Sequence, residues 1–177
     1  ARIWSLPIVF VCENNQWGMG TGWKRVSAVD DFSLMASSYN IRGEMVDGMD
    51  VLVVRDAATR ALADARAGNP VLIEARTYRY KGHSMSDPQK YRTREEIDEY
   101  KKLDPILILE ERMKKEGSWD DATAAEQDAA TEELVARAVT FAEESPDPAI
   151  STIYEDIYAG PAFFMKPSLS PATGGAR

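Results

Sequence analysis

Cysteine and histidine are nearly missing from this chain: Cys12 and His83 are the sole residue of each kind. A single cysteine excludes an internal disulfide and a cysteine-rich zinc site, and it fits a reducing compartment. Long apolar runs are absent too. Nothing approaches the roughly 18 consecutive apolar residues of a membrane-spanning helix, so no membrane association is expected. The first residues lack the basic-then-apolar layout of a signal peptide, which argues against a secreted precursor. Basic charge is in deficit, with 21 Lys+Arg against 29 Asp+Glu and a net charge of -8. No Lys/Arg-rich block is set apart, so the chain repels a phosphate backbone and nucleic acid is not an expected partner. What remains, 177 residues of which 44% are hydrophobic, is the composition of one globular domain of ordinary size.

The chain opens Ala1-Arg2-Ile3-Trp4-Ser5-Leu6-Pro7, without Met, and at once enters Ile8-Val9-Phe10-Val11. A buried strand so near the start leads us to expect that the beginning of the domain precedes Ala1. Residues 8 to 12 read as a central strand of a parallel sheet, and the polar Glu13-Asn14-Asn15 that follow lie where open α/β sheets bind ligands. Gly18, Gly20 and Gly22 make a loop whose backbone can approach a ligand closely. Trp23 to Asn40 reads as loop with a short helix near Phe32 to Ser38. Gly43-Glu44-Met45-Val46 is the next strand. Asp50 then caps a helix with apolar positions Val51, Val54, Ala58, Ala61, Leu62 and Ala65, which Gly68 and Pro70 stop. Val71 to Thr77 is a further buried strand, and strand, helix and strand form a right-handed parallel crossover.

After Thr77 comes a loop too rich in aromatic and charged groups for a mere connector: Tyr78-Arg79-Tyr80-Lys81-Gly82-His83-Ser84-Met85-Ser86-Asp87-Pro88. Thr93-Arg94-Glu95-Glu96 is a capping box that restarts helix. Asp104-Pro105 begins another helix to about Lys115, and Asp120 a third to about Glu144. The tail beyond Tyr158 holds three of the nine prolines and Gly174-Gly175, a composition that favours no fixed structure.

Several residues have the chemistry of a site. A carboxamide oxygen at the end of a strand, from Asn14 or Asn15, is a hard neutral ligand suited to magnesium, although an Asn-rich turn accounts for the same spacing. Glu13 is either a turn residue or a proton carrier. A lone histidine is more often structural than catalytic, but His83 has Arg79, Lys81 and Arg92 around it, positive charge suited to a phosphate, with Asp87 able to orient the loop by hydrogen bonds. A phosphate on Ser84 or Ser86 would bring about two negative charges into that loop, while simple loop hydrogen bonding is the preferred account of both serines. Gly18-Met19-Gly20 is not G-x-G-x-x-G, there is no P-loop, and no nucleophile elbow occurs.

Taken together, Leu6 to Gly20, Val46-Asp47-Gly48-Met49-Asp50, Thr77 to Pro88 and Tyr91-Arg92-Thr93-Arg94-Glu95-Glu96 resemble the alpha subunits of thiamine-diphosphate-dependent 2-oxo acid dehydrogenases, the decarboxylating component of pyruvate dehydrogenase complexes. The resemblance covers about Leu6 to Tyr158. It implies an α/β fold, a partial thiamine-diphosphate-binding fold with a mostly parallel sheet flanked by helices and followed by a helical C-terminal part. Residues 1–103 would be the C-terminal portion of the cofactor-binding domain, 104–158 its helical extension and 159–177 a flexible tail. The family's cofactor motif begins Gly-Asp-Gly and ends Asn-Asn; only Asn14-Asn15 is present, so the first half is expected before Ala1. Without that aspartate the chain alone should hold magnesium and diphosphate poorly.

By the same resemblance Asn15 gives magnesium a side-chain oxygen and Trp17 a backbone carbonyl, at a position where relatives often carry Tyr. His83 matches the loop histidine beside thiamine diphosphate that assists acyl transfer to the lipoyl arm. Arg79 joins it at the cofactor, and Ser84, Asp87, Tyr91 and Arg92 match positions that order the loop. Ser84 matches a serine phosphorylated in mitochondrial relatives. Their second regulated serine has no counterpart, because Asp87-Pro88-Gln89-Lys90-Tyr91 is one residue shorter, as in bacterial loops. The implied partners are a beta subunit in an α2β2 enzyme, the lipoyl acyltransferase component and pyruvate. Acetoin or branched-chain 2-oxo acid dehydrogenase is the alternative activity, and a non-catalytic interaction module lacking the metal-binding half is the alternative of another class. The implied compartment is the bacterial cytoplasm, or otherwise the mitochondrial matrix.

Overall fold

The computed structural model describes residues 1–155; the tail expected to be flexible, 159–177, lies outside the described residues. In chain order, β1 (Val9–Asn14) leads into a small hairpin of β2 (Trp17–Gly18) and β3 (Thr21–Gly22). Two 3-10 segments (Trp23–Arg25, Phe32–Tyr39), β4 (Arg42–Asp47), α1 (Val51–Arg66) and β5 (Val71–Arg76) follow. β1, β5 and β4 form a parallel sheet in that order. Val9 and Arg42 both sit beside Val71, and Asn14 and Asp47 both beside Arg76, so the three strands end level with one another. This common carboxyl end is where a parallel sheet presents ligand-binding groups.

The sheet corrects one expectation. β5, not β1, is the central strand, and among the described residues nothing pairs with the outer edge of β1. Phe10 and Val11 are accordingly 42% and 58% exposed, and Phe10 and Leu72 line an open apolar hollow of about 760 Å³ with Ile3, Tyr39 and Ile41. An apolar run records which faces a strand can bury, not which neighbours it has.

α1 follows from its ends. The Asp50 carboxylate accepts from the Leu52 and Val53 N–H groups, and Gly68 takes the left-handed φ of +81° beyond the last turn. Its buried stripe is Ala57, Ala61 and Ala65 with Val54 partly covered, packed on Val46, Val71, Ile73 and Ala75. The expected Val51 and Leu62 are instead 47% and 46% exposed. Small residues win the inner face because alanines let the helix backbone lie close to the sheet, and the larger side chains are displaced to the flanks. Burial of side chains such as Val71 and Ile73 stabilises this layer by about 1.5–3 kcal/mol each.

The 3-10 segment Phe32–Tyr39 is capped by Asp31, ended by Asn40 at φ 53°, and buries Ser33 and Ala36. It lies so near β4 that a Cβ on Gly43 would stand 2.0 Å from the Ser33 carbonyl oxygen, which makes glycine obligatory there. Beyond β5 come α2 (Arg94–Lys101) and α3 (Pro105–Lys115). The capping box at α2 is half formed: Thr93 Oγ1 accepts from the Glu96 N–H, but the Glu96 carboxylate accepts from the Tyr78 hydroxyl instead of closing the box. Arg112 of α3 pairs with the Asp50 cap of α1 at 3.1 Å. Residues through Asp121 form one compact unit. The other begins at Ala122, in helix α4 (Asp121–Glu144), along which Leu134, Val135, Val139 and Phe141 are exposed. Among the described residues no helix is long and apolar enough to cross a membrane.

Candidate functional site

Two consecutive turns leave the carboxyl end of β1. Asn14, its last residue, is buried; its Oδ1 accepts from the Gln16 N–H at 3.1 Å, and Asn15 Oδ1 accepts from the Trp17 N–H at 3.1 Å. The geometry forces Gln16 to φ 72° and Met19 to φ 54°, a region where a non-glycine residue is held only by its surroundings. For Gln16 the hold is visible: its Nε2 donates to the Asn14 carbonyl at 3.3 Å and its Oε1 accepts from Trp23 Nε1 at 2.6 Å. The turns therefore fix two oxygens, Asn15 Oδ1 and the Trp17 carbonyl, on residues two apart in the chain.

The loop after β5 is tied to these turns through Arg79. Its Nη1 donates to the Trp17 carbonyl at 3.3 Å, and Nη2 donates to the Met19 carbonyl at 2.7 Å and to the Tyr91 hydroxyl at 3.0 Å. The Tyr91 hydroxyl donates in turn to Asp87 Oδ2 at 2.7 Å, and that same oxygen accepts from the His83 backbone N–H at 2.8 Å. The Tyr91 ring packs on Trp17 with centroids 5.0 Å apart, and a Cβ on Gly20 would meet it at 3.0 Å. Sequence positions from 15 to 91 thus converge, as the motifs suggested. The His83 side chain is exposed at the loop tip, and Ser84 and Ser86, also exposed, share a hydroxyl–hydroxyl hydrogen bond of 3.2 Å.

Asp87 organises the tip. The His83 N–H, then the Tyr91 hydroxyl, the Gln89 N–H and the Arg79 charge hold its carboxyl down at about 2. Arg92 is 8% exposed and braces the other side. Its Nη1 donates to the Arg79 carbonyl, and Nη2 to the Tyr80 and Lys81 carbonyls, both at 2.8 Å, and to Gln89 Oε1 at 2.5 Å. Tyr78 stacks on Tyr100 with centroids 3.8 Å apart; burial, and then the Glu96 carboxylate, push its hydroxyl up to about 12.

The oxygens present fit a magnesium ion bound jointly with phosphate. Asn15 Oδ1 and the Trp17 carbonyl are hard neutral donors, and each spends one lone pair on an N–H, from Trp17 and Arg79 respectively, leaving the other for a cation. They supply no negative charge, and among the described residues no group of three or more His, Cys, Asp or Glu side chains is arranged for a metal. A hollow of about 400 Å³ opens beside them, lined by Asn14, Asn15, Trp17, Thr21, Trp23 and Phe32. Glu13 is exposed at its rim.

One residue escaped the sequence reading. Glu74, in the middle of β5, is fully buried, and its carboxylate accepts from Asn14 Nδ2 at 2.8 Å, Arg76 Nε at 3.2 Å and the Phe32 and Ser33 N–H groups at 2.5 and 3.3 Å. The available signal was a lone charge inside the apolar run Val71-Leu72-Ile73-Glu74-Ala75.

Comparison with known proteins gives the family of the chain. The family model described as dehydrogenase E1 component matches residues 1–151. The chain is 40% identical to a pyruvate dehydrogenase E1 component subunit alpha from Rhizobium meliloti (strain 1021), over 89% of this chain and 46% of that protein. It is 44% identical to a mitochondrial pyruvate dehydrogenase E1 component subunit alpha from Sminthopsis macroura, over 90% of this chain and 44% of that protein. For the somatic mitochondrial form from Homo sapiens the identity is 43%, over 90% of this chain and 41% of that protein. The chain spans about half the length of the relatives it matches. It belongs to the dehydrogenase E1 component family.

Proposed function

We propose that this chain is part of the alpha subunit of a pyruvate dehydrogenase. That enzyme decarboxylates pyruvate oxidatively and passes the acetyl group to the lipoyl group of an acyltransferase component, acting as α2β2 with a beta subunit. The observation that carries the proposal is the linkage of the Asn15–Trp17 oxygen pair to the His83 loop through Arg79, Tyr91 and Asp87. Those bonds tie a turn that carries hard oxygens to the loop that bears the chain's one histidine, as a single reacting centre requires. The names of the relatives support pyruvate as the substrate.

In this reading Asn15 Oδ1 and the Trp17 carbonyl hold magnesium, and Arg79 keeps the carbonyls of Trp17 and Met19 in place. Thiamine diphosphate, when bound, supplies the carbanion chemistry. The chain's own residues do the rest. Asp87, Tyr91 and Arg92 hold the loop, Ser84 lies at its tip, and the His83 imidazole would give a proton to the lipoyl sulfur that leaves as thiolate when the S–S bond breaks and the other sulfur takes the acyl group.

The test uses the assembled enzyme with its beta subunit. Release of carbon dioxide from pyruvate should require both thiamine diphosphate and magnesium. His83→Ala should cut acylation of the lipoyl domain by roughly 10²-fold or more, as loss of a positioned acid does, while cofactor affinity changes little. Undiminished lipoyl acylation in the variant rules out the role given to His83; carbon dioxide release without the cofactor rules out the activity.

A further inference from the structure

Resting on the reading of Asn15 and Trp17 as the metal-side oxygens, we infer that Glu74 is a positioning residue for that pair, because its buried carboxylate holds the Asn14 carboxamide in the orientation that builds the Asn15–Trp17 turn. Glu74 lies in the central strand, has no exposed surface and touches neither oxygen. A buried carboxylate is costly unless fully hydrogen-bonded, and all four of its contacts are N–H donors, as an acceptor-only group needs.

The consequence runs through one side chain. An amide has a donor end and an acceptor end. With Nδ2 committed to Glu74 at 2.8 Å, Asn14 must turn Oδ1 toward the Gln16 N–H, 3.1 Å away. That bond holds Gln16 at φ 72° together with the Gln16 side-chain bonds to the Asn14 carbonyl and Trp23, and the chain leaving Gln16 brings the Trp17 N–H to Asn15 Oδ1. If position 74 could donate as well as accept, the Asn14 amide could flip. Its Nδ2 would then face the Gln16 N–H, donor against donor, and the turn would open. The other carboxylate oxygen grips the start of the Phe32–Tyr39 segment, and Phe32 packs edge-on against Trp23, the residue that holds the Gln16 side chain. Glu74 thus supports the turn from both sides of the hollow.

Glu74→Gln is the isosteric test, read by Mn²⁺ binding to the assembled enzyme at saturating thiamine diphosphate, with electron paramagnetic resonance counting free metal and thermal unfolding followed in parallel. Partners behind metal ligands are worth roughly 10–100-fold in affinity, and at least a tenfold weakening is expected here. Asn14→Ala, which leaves the carboxylate in place, should weaken metal binding similarly. The Glu74→Gln/Asn14→Asp double variant exchanges donor and acceptor while keeping an oxygen toward Gln16, and it gives Arg76, the register partner of position 14, a carboxylate in place of the one it loses; it should recover most of the roughly tenfold loss. Wild-type metal affinity in Glu74→Gln or in Asn14→Ala overturns the inference, even if the unfolding temperature falls, because that is the signature of a merely structural role. Failure of the double variant to recover overturns it as well. Absence of Mn²⁺ uptake by the wild-type enzyme overturns the proposed function itself, and this inference with it.

Discussion

Replacing Arg92 with Met should loosen the His83 loop without unfolding the sheet. Methionine keeps much of the aliphatic stem but removes the guanidinium, whose carbon lies 5.4 and 5.8 Å from the centroids of the Tyr78 and Tyr91 rings. What is lost is the charged fork that gathers the carbonyls of Arg79, Tyr80 and Lys81 and the Gln89 amide oxygen. Hydrogen bonds to a charged group contribute about 1.5–3 kcal/mol each. Three of these four acceptors share one nitrogen, so they are worth fewer than four independent bonds, and the buried Nε without a partner subtracts from the total. Water can also re-solvate Lys81, which is exposed. The expected net loss is about 3 kcal/mol, roughly a hundredfold in the opening equilibrium of the loop. Amide hydrogen exchange reads this directly. The His83 and Gln89 amides, which donate to Asp87 at 2.8 and 2.9 Å, should exchange roughly a hundredfold faster. The amides of β5 should keep their wild-type rates. Unchanged exchange at His83 and Gln89 would refute the bracing role, and equal acceleration in β5 would show that Arg92 supports the whole fold instead.

Two further perturbations test the scaffold and the loop tip. Gly43→Ala should cost at least about 3 kcal/mol in urea unfolding, at the upper end of overpacking penalties, because its Cβ would lie 2.0 Å from the Ser33 carbonyl oxygen and 2.9 Å from the Ala36 Cβ. Gly18→Ala, whose Cβ would meet nothing nearer than 3.9 Å, should stay within about 0.5 kcal/mol of wild type, and similar losses in the two would refute the close approach. Asp87, held at about 2, is below the ordinary carboxylate value in the folded state. The order it gives the loop should therefore be complete above pH of about 4 and fade as the pH falls through about 2. A carboxyl carbon titration by nuclear magnetic resonance checks this, and a midpoint near 4 would mean that the His83, Gln89 and Tyr91 donors do not hold it.

Much of the fold was legible because its signals are local. The Asp50 cap and the Gly68 stop bound α1 where the sequence placed it, and Asp104-Pro105 started α3 as read. Neighbour relations were less legible. The run Ile8-Val9-Phe10-Val11 looks the same at the centre of a sheet as at its edge, so the order β1-β5-β4 had to come from pairing. The face of α1 was read correctly at Val54, Ala61 and Ala65 but not at Val51 and Leu62, for a related reason: periodicity counts apolar residues, whereas packing at close approach selects small ones such as Ala57.

The site shows where motif reading stops. The family resemblance brought Asn15, Trp17, Arg79, His83, Asp87, Tyr91 and Arg92 forward, but the residues themselves suggested that Arg79 and Arg92 offered their positive charge to a phosphate. Their N–H groups instead serve carbonyls and a hydroxyl: Arg79 those of Trp17, Met19, Lys81 and Tyr91, Arg92 those of residues 79–81 and Gln89. A sequence cannot separate the two uses, since a planar fork of N–H groups suits a ring of carbonyls as well as a phosphate. The uses do not exclude each other either. A bond to a carbonyl occupies a donor while leaving the unit charge uncancelled, so Arg79, Lys81 and Arg92 against the one carboxylate of Asp87 still give the loop a positive potential. The same arginines that fix the loop geometrically can therefore draw an anionic cofactor toward it without touching it, and that attraction is the part screened by salt. Cofactor affinity should then fall with ionic strength in the wild type, while the hydrogen-bonded geometry of the loop stays unchanged.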